Sequence, residues 1–251
     1  MGERLGDAVE AHLQLLRSFQ LRVDGRHQPL PAHAQRVLAF LALQGRHQNR
    51  TYVAERLWMD MPTQRSQANL RTALWRIRQS GPALVSVDCR TVTLGEALSI
   101  DIENVLSKSR SLLGDEAGDD LVARDVELFR YDLLPGWDED WITLERERIR
   151  QVRLHALEAL CRRLTATGRY AEAIEAGQEA VAGEPLRESA HTVLITAYIE
   201  EGNLVEAVRE FNYYEAMLEK ELGAAPSTAM RALLRPVATT SSRSDVGAVQ
   251  A

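Results

Sequence analysis

Lysine is nearly missing from these 251 residues. Lys108 and Lys220 are the only two, and neither follows a glycine-rich phosphate loop, which argues against a nucleotide-binding ATPase module. Cysteine is equally scarce. Cys89 and Cys161 lie far apart and have no His or Cys neighbours at metal spacing, so neither a disulfide framework nor a structural zinc site is expected. They read as reduced thiols of a cytoplasmic protein. No run of eighteen apolar residues exists, so no membrane span is expected. Met1 to His12 carries Glu3, Asp7 and Glu10 without an apolar core, which reads as a flexible N-terminus (residues 1–12) rather than a signal peptide. The six histidines, at 12, 27, 33, 47, 155 and 191, show no ligand spacing, so no metal or other cofactor is expected. The acidic clusters Asp138-Glu139-Asp140 and Glu145-Arg146-Glu147-Arg148 read as a helix start and a solvated helix face. No nucleophile and base are paired even in outline, so the chain is not expected to be an enzyme.

What is present is arginine, and it is unevenly placed. Residues 13–99 hold twelve Arg, no Lys and five acidic residues, a net charge of +7. Residues 100–251 hold 17 basic and 28 acidic residues, a net charge of −11. A basic part joined to an acidic part suggests a polyanion binder fused to a second module.

The basic part reads as strands, three helices and a hairpin. Leu13–Leu16 and Phe19–Val23 are strand-like, and Asp24-Gly25 is a two-residue hairpin signal. Gln28–Leu30 is the expected return strand, kept short and at an edge by Pro29 and Pro31. Ala34, Val37, Leu38 and Leu41 recur at helical spacing, and Gly45 is a stop. Thr51 is the expected cap of a second helix bearing Val53, Ala54, Leu57 and Trp58. Met59–Arg65 reads as a loop, and a third helix is expected from Ser66 to Gln79 on the stripe Leu70, Ala73, Leu74 and Ile77. Leu84–Val87 and Thr91–Leu94, separated by Asp88-Cys89-Arg90, read as a hairpin. That order is a winged helix-turn-helix over residues 13–100.

The acidic part reads as all helix. Asp119–Leu134 is amphipathic and ends at Pro135-Gly136, and Asp140 can cap a long helix from Trp141 to about Ala166. Beyond it, pairs recur 34 residues apart: Ala156 and Ala190, Leu160 and Leu194, Gly168 and Gly202, Glu172-Ala173-Ile174 and Glu206-Ala207-Val208. A period of 34 is that of tetratricopeptide (TPR) helix pairs. The expected fold is therefore an α+β winged helix followed by an all-α, TPR-like domain over residues 101–235, with a disordered tail at 236–251.

If the stripe of the third helix faces the core, its opposite side is Gln67, Arg71, Thr72, Trp75, Arg76, Arg78 and Gln79. Arginine can grip guanine O6 and N7 or a phosphate, and threonine can meet a thymine methyl. Trp75 either packs half-buried on the second helix or contacts sugar and thymine methyl groups, and the first is favoured. Arg90, at the hairpin tip, can enter a minor groove or neutralise a phosphate. Arg46, His47 and Arg50 could touch the DNA backbone but read mainly as bystanders.

With those residues in view, the chain resembles the SARP family (Streptomyces antibiotic regulatory proteins), which joins an OmpR-type winged helix to a bacterial transcriptional activator domain. The resemblance runs over about 13–235. It is carried by Gln35–Leu43, Arg56-Leu57-Trp58, Ser66–Arg78, Asp132-Leu133-Leu134-Pro135-Gly136-Trp137, Glu184–Glu188, and Glu219–Gly223 with Pro226-Ser227. It implies binding to direct repeats in double-stranded promoter DNA as a homodimer, recruitment of RNA polymerase through sigma and other subunits, and activation of biosynthetic genes for secondary metabolites such as antibiotics. Arg76-Ile77-Arg78 matches the end of the family's recognition helix, which carries DNA contact to Arg71, Trp75, Arg76 and Arg78. The 59–65 loop matches the family's transactivation loop, which carries polymerase contact to Asp60, Met61, Thr63, Gln64 and Arg65. The wing departs from the family in lacking a Gly-Tyr-Arg run after its first strand. No receiver domain precedes the winged helix, so phospho-relay control is not expected. Two other readings of the residues stand beside this one: a TPR adaptor for protein partners, and a repressor on the same DNA-binding scaffold.

Overall fold

The computed structural model describes residues 10–114 and 124–234. They divide into two compact units, one reaching Asn104 and including Asp132–Glu147, the other comprising Val105–Tyr131 and the residues from Arg148 onward. Residues 1–9 of the expected flexible N-terminus (1–12) and the expected tail from 236 lie outside the described residues, whereas Ala11 and His12 are not flexible but paired in the first strand, opposite Val23 and Arg22.

In the first unit, strands β1 (Ala11–Gln14) and β2 (Gln20–Val23) pair antiparallel, with Leu13 opposite Leu21 and both fully buried. Asp24 and Gly25 both take positive φ, 49° and 73°, as a two-residue hairpin requires. The return strand β3 is Arg26–His27, not Gln28–Leu30. A hairpin this tight brings its first residues straight into pairing, and Pro29 has no N–H for the ladder. Near the end of the unit's first stretch, β7 (Leu98–Ile100) adds parallel to β1, giving a sheet of order β3-β2-β1-β7.

Helix α1 (Ala32–Gln44) buries Ala34, Val37, Leu38, Phe40 and Leu41, and Gly45 follows it. A short strand β4 (His47–Asn49) then leads into α2 (Arg50–Leu57). The cap of α2 is Asn49, not Thr51. Asn49 Oδ1 accepts from the backbone N–H groups of Thr51 and Tyr52, at 2.9 and 3.3 Å, which places Thr51 inside the first turn. Helix α3 spans Thr63–Ser80, one turn longer than the sequence reading. Ser66, 1% exposed, donates its hydroxyl to the Thr63 carbonyl at 2.9 Å; it lies within the helix and does not cap it.

A 3-10 turn at Pro82–Leu84 leads to the wing strands β5 (Val85–Val87) and β6 (Thr91–Leu94), which complete a second sheet of order β4-β6-β5. A Cβ on Gly95 would stand 1.8 Å from the Ala83 carbonyl oxygen, so only glycine fits at the base of the wing. Arg46 fastens this region. Its guanidinium donates to the Gly95 and Leu98 carbonyls at 3.0 and 2.7 Å, and bidentately to the Glu103 carboxylate at 2.7 Å. Arg46 is therefore a structural clamp and not one of the phosphate-contacting side chains. Asp101, at the start of α4 (Asp101–Leu113), accepts from the N–H groups of Leu15, Leu16 and Ile102.

The segment around Leu133-Leu134-Pro135-Gly136 returns to the first unit. The Leu134 N–H donates to the Leu15 carbonyl and the Arg17 N–H to the Asp132 carbonyl, each at 2.9 Å. Arg146 donates to the Leu133, Leu134 and Trp137 carbonyls. Trp141 sets its ring edge-on to Phe40 at 5.2 Å. These bonds end the expected Asp119–Leu134 helix early. Its described part is α5 (Arg124–Phe129), and Asp119–Ala123 lie outside the described residues.

The second unit is helical. Helix α6 (Asp140–Ala166) contributes its residues from Arg148 onward, and α7 (Tyr170–Gly183), α8 (Glu188–Glu201), α9 (Leu204–Leu222) and α10 (Thr228–Leu233) follow. The 34-residue repeat is real at the level of single hydrogen bonds. The Gly168 N–H bonds to the Thr165 carbonyl and the Arg169 N–H to Leu164; in the second copy Gly202 bonds to Ile199 and Asn203 to Tyr198. Gly168 and Gly202 take φ of 73° and 88°, the left-handed closure of a helix. Ala156, Ala190, Ala173, Ala207 and Leu160 are fully buried and Leu194 nearly so, where the repeat places helix crossings. His191 is a satisfied core histidine. Its ring nitrogens lie 2.7 Å from Glu210 Oε1 and 2.8 Å from the Pro185 carbonyl, against the Tyr214 ring.

Two glycine substitutions separate the two kinds of constraint. Gly95→Ala, a backbone clash, is expected to cost about 2–3 kcal/mol. Gly202→Ala, a left-handed residue in open space, is expected to cost about 1–2 kcal/mol. Urea unfolding with unchanged slope checks both; equal costs would remove the assignment of Gly95 to a close approach.

Candidate nucleic-acid interface

Helix α3 holds four arginines and no acidic residue. Its buried side is Ser66, Leu70, Ala73, Leu74 and Ile77, the stripe read from the sequence with one residue added. The arc away from that stripe is Arg71, Thr72, Trp75, Arg76, Arg78 and Gln79, all exposed, with Gln67 half-buried at its edge. Among the described residues, Arg71, Arg76 and Arg78 form no ion pair or hydrogen bond to a protein acceptor through their side chains. This separates them from Arg46, Arg146 and Arg130, whose guanidiniums are held by carboxylates or carbonyls. Thr72 turns its hydroxyl hydrogen back to the Ala68 carbonyl at 3.1 Å, which leaves its methyl and lone pairs outward.

Trp75 is not half-buried against α2. It is 52% exposed, and the Arg76 guanidinium lies over its ring at 4.8 Å from the centroid. The flat indole and the stacked guanidinium form one platform on the outward face.

The wing is held by a turn built on Asp88. Its carboxylate accepts from the N–H groups of Arg90 and Thr91, at 2.7 Å each, and from the Thr91 hydroxyl at 2.7 Å. These bonds, the Thr91 hydroxyl first among them, pull the Asp88 carboxyl down to about 2. Arg50 ties the turn to α2: its N–H donates to the Arg90 carbonyl and its guanidinium to the Asp88 carbonyl, both at 2.9 Å. Arg50 therefore positions the wing, and Arg90 is left exposed at the tip. Between the wing tip, the start of α2 and the first half of α3 lies a cleft of about 310 Å³, lined by Arg50, Thr51, Gln67, Leu70, Arg71 and Cys89. The sequence reading missed the tether and the turn. Asp88 two and three residues before N–H groups was the available signal, an Asx-type turn.

The connection between α2 and α3 is shorter than the expected loop. It runs from Trp58 to Pro62, and Thr63, Gln64 and Arg65 form the first turn of α3. Pro62, with φ of −55°, starts the helix there. Asp60, Met61, Thr63, Gln64 and Arg65 are all exposed, and Met59 with them. The Asn69 amide lies 3.2 Å from Met61 Sδ. Among the described residues, no group of three or more His, Cys, Asp or Glu is placed to hold a metal ion, and no helix is long and apolar enough to cross a membrane.

Strands, three helices and a wing in the first unit, with repeated helix pairs in the second, define the class: a winged helix coupled to a helical-repeat domain. Residues 116–237 match the family described as the bacterial transcriptional activator domain. The fold is similar to that in "Mycobacterium tuberculosis EmbR in complex with low affinity phosphopeptide", with a TM-score of 0.73 and 19% identity over 92% of this chain. The match covers 66% of that chain, so this chain spans a little under two thirds of its length. At that identity the likeness is one of fold. No curated protein matches the sequence. The domain match over residues 116–237 supports the SARP resemblance read from the sequence.

Two solution properties follow. Burial pushes the Cys161 thiol up to about 12, whereas Cys89 is exposed in the wing turn. Iodoacetamide is expected to label Cys89 in the native chain and Cys161 only on unfolding, read by peptide mass spectrometry; labelling of both at similar rates contradicts the burial of Cys161. The Asp88 turn is favoured by ionisation, so its contribution is complete above about pH 4 and is lost as pH falls toward 2. Asp88→Ala is expected to speed amide exchange at Thr91 at neutral pH, and unchanged exchange would show that the turn does not depend on the carboxylate.

Proposed function

We propose that α3 is the recognition helix of a sequence-specific regulator that binds double-stranded promoter DNA as a pair of protomers on direct repeats and recruits RNA polymerase. The observation that carries this reading is the set of arginines on α3 that no carboxylate neutralises, on the face opposite a fully buried stripe. Eighteen residues make about 27 Å of helix, enough to lie along a major groove. Arg71, Arg76 and Arg78 supply guanine or phosphate contacts, Thr72 and Gln67 supplement them, and the Trp75–Arg76 platform covers sugar and thymine methyl groups. Arg90 reaches the flanking backbone from a wing that Asp88 and Arg50 hold in place.

Polymerase contact is assigned to Asp60, Met61, Thr63, Gln64 and Arg65. Their exposure, beside the exposed Met59, fits a surface that meets a protein rather than DNA, since methionine adapts to apolar partners. The α3 end of this patch is continuous with the recognition helix, so a protein bound there would stand beside the DNA. The sites regulated are taken to be promoters of biosynthetic genes, including antibiotic clusters, and the setting to be the cytoplasm. The helical unit is the candidate for holding a second protomer or the polymerase, because its acidic surface does not favour DNA.

The test uses the promoter upstream of its own gene. Arg71→Ala and Arg76→Ala are each expected to weaken binding by about 1–3 kcal/mol, and removing one phosphate-binding side chain reduces the slope of log K against log salt by about 1. Footprinting is expected to show two protected half-sites on one face of the duplex. Full affinity in both variants contradicts the recognition helix. With purified polymerase, Met61→Ala with Arg65→Ala is expected to lower transcription but not binding; a rise in transcription when the protein is omitted marks a repressor instead.

A further inference from the structure

Trp75 and Arg76 are neighbours in sequence, and sequence neighbours on a helix do not face each other. Yet the Arg76 guanidinium lies 4.8 Å from the centroid of the Trp75 ring. The arginine has left the direction its backbone gives it and bent over the indole. On the reading of α3 as the recognition helix, we propose that Trp75 is a positioning residue. Its ring sets the Arg76 guanidinium to read one guanine, while Arg71 and Arg78 grip phosphates.

Placement around the helix divides the three arginines. At about 100° per residue, Thr72, Trp75 and Gln79 lie within about 40° of the direction opposite the buried stripe. That central line points to the floor of a groove. Arg71 and Arg78 share one flank and Arg76 occupies the other, each about 60–85° from the line. Gln67 and Arg71 line the cleft of about 310 Å³ together with Arg50 and Cys89, which puts their flank beside the wing. The flanks of a helix lying in a groove meet the phosphates that wall it. Arg76 is drawn from its flank toward the central line, because the ring it lies over stands there.

Stacking also suits the task. A guanidinium is planar, and its N–H donors lie in that plane as a rigid fork. A ring against its face holds the plane and leaves the donor edges free. Indole offers a cation the best face of the aromatic side chains. Guanine presents O6 and N7 side by side in the major groove, a pair that such a fork meets with two hydrogen bonds. Phosphate contacts place a protein on the duplex, whereas base contacts carry the sequence information. Holding a side chain ready before binding therefore counts most for the arginine that reads a base. Among the three, Arg76 is the one so held; Arg71 and Arg78 make no ring contact among the described residues.

The experiment uses the full-length chain and the duplex upstream of its own gene. Each guanine of the footprinted half-sites is replaced singly by 7-deazaguanine, which keeps Watson–Crick pairing but lacks N7, and binding is measured by fluorescence anisotropy. In the parent chain one guanine per half-site is expected to show about a tenfold loss. Arg76→Lys, which keeps the charge without the fork, is expected to abolish that loss. Trp75→Ala is expected to shrink it from about tenfold to about threefold, and Trp75→Phe to restore most of it. Trp75→Ala and Arg76→Lys are expected to keep the parent's melting temperature, salt slope and affinity for a duplex of unrelated sequence. Arg71→Ala and Arg78→Ala are expected to keep the guanine loss and to lower the slope of log K against log salt by about 1 each. The proposal is overturned if no guanine is sensitive in the parent, if the loss survives in Arg76→Lys, or if Trp75→Ala leaves it at full size. Equal weakening of the promoter and the unrelated duplex by Trp75→Ala also overturns it, and makes the ring a backbone contact in its own right. In all these cases the promoter is still bound and the recognition helix stands. If instead every arginine variant of α3 binds the promoter as the parent does, the recognition helix and the proposal fall together.

Discussion

The burial of one side of α3 is what the rest of the first unit serves. Leu70, Leu74 and Ile77 are almost fully enclosed. Each such side chain contributes about 1.5–3 kcal/mol, a sum comparable to the whole stability of a small domain. That anchoring is what permits four arginines on a helix with no acidic side chain to offset them. A helix held only by propensity and ion pairs could not sustain such a face. Charge repulsion along α3 is offset by the core, and the resulting field has nowhere within the helix to be neutralised. The same stripe fixes the helix in rotation. A turn of one position would bring Arg71 or Arg78 toward the core, which the burial of an unpaired charge makes prohibitive.

Arginine does two different jobs in this chain. Arg46, Arg146 and Arg153 are internal fasteners that collect backbone carbonyls no strand or helix supplies with partners. Arg71, Arg76 and Arg78 are outward and uncommitted. The planar fork suits both uses, because it satisfies several acceptors at once inside and grips bases or phosphates outside. The near absence of lysine fits a chain in which most cations are asked to make directed hydrogen bonds.

What could be read from the sequence was what local chemistry decides. Asp24-Gly25 carries its own turn geometry, the stripe of α3 carries its own period, and Gly168 and Gly202 close helices wherever they occur. Both faces of α3 are therefore legible in the spacing of its residues alone. What could not be read was decided by partners distant in the chain. Strands β4 and β7 are three residues each and exist through pairing with β6 and β1. Residues 132–147 belong with the first unit through bonds to Leu15 and Arg17, more than a hundred positions away. Arg46 reads from the sequence mainly as a bystander because nothing near it in the chain reveals Glu103. Trp75 differs from its reading for the converse reason: aromatic residues are usually buried, whereas this ring is exposed beneath the Arg76 guanidinium.

The central claim is that the α3 arginines are free in the isolated chain and engaged on DNA. Arginine-selective modification with a dicarbonyl reagent, read residue by residue by mass spectrometry, tests it directly. In the free chain Arg71, Arg76 and Arg78 are expected to react readily while Arg46 and Arg146 resist. With a saturating duplex from the promoter of its own gene, the first three are expected to become protected. Continued reaction of Arg71, Arg76 and Arg78 in a chain that is demonstrably bound to that duplex would contradict the account.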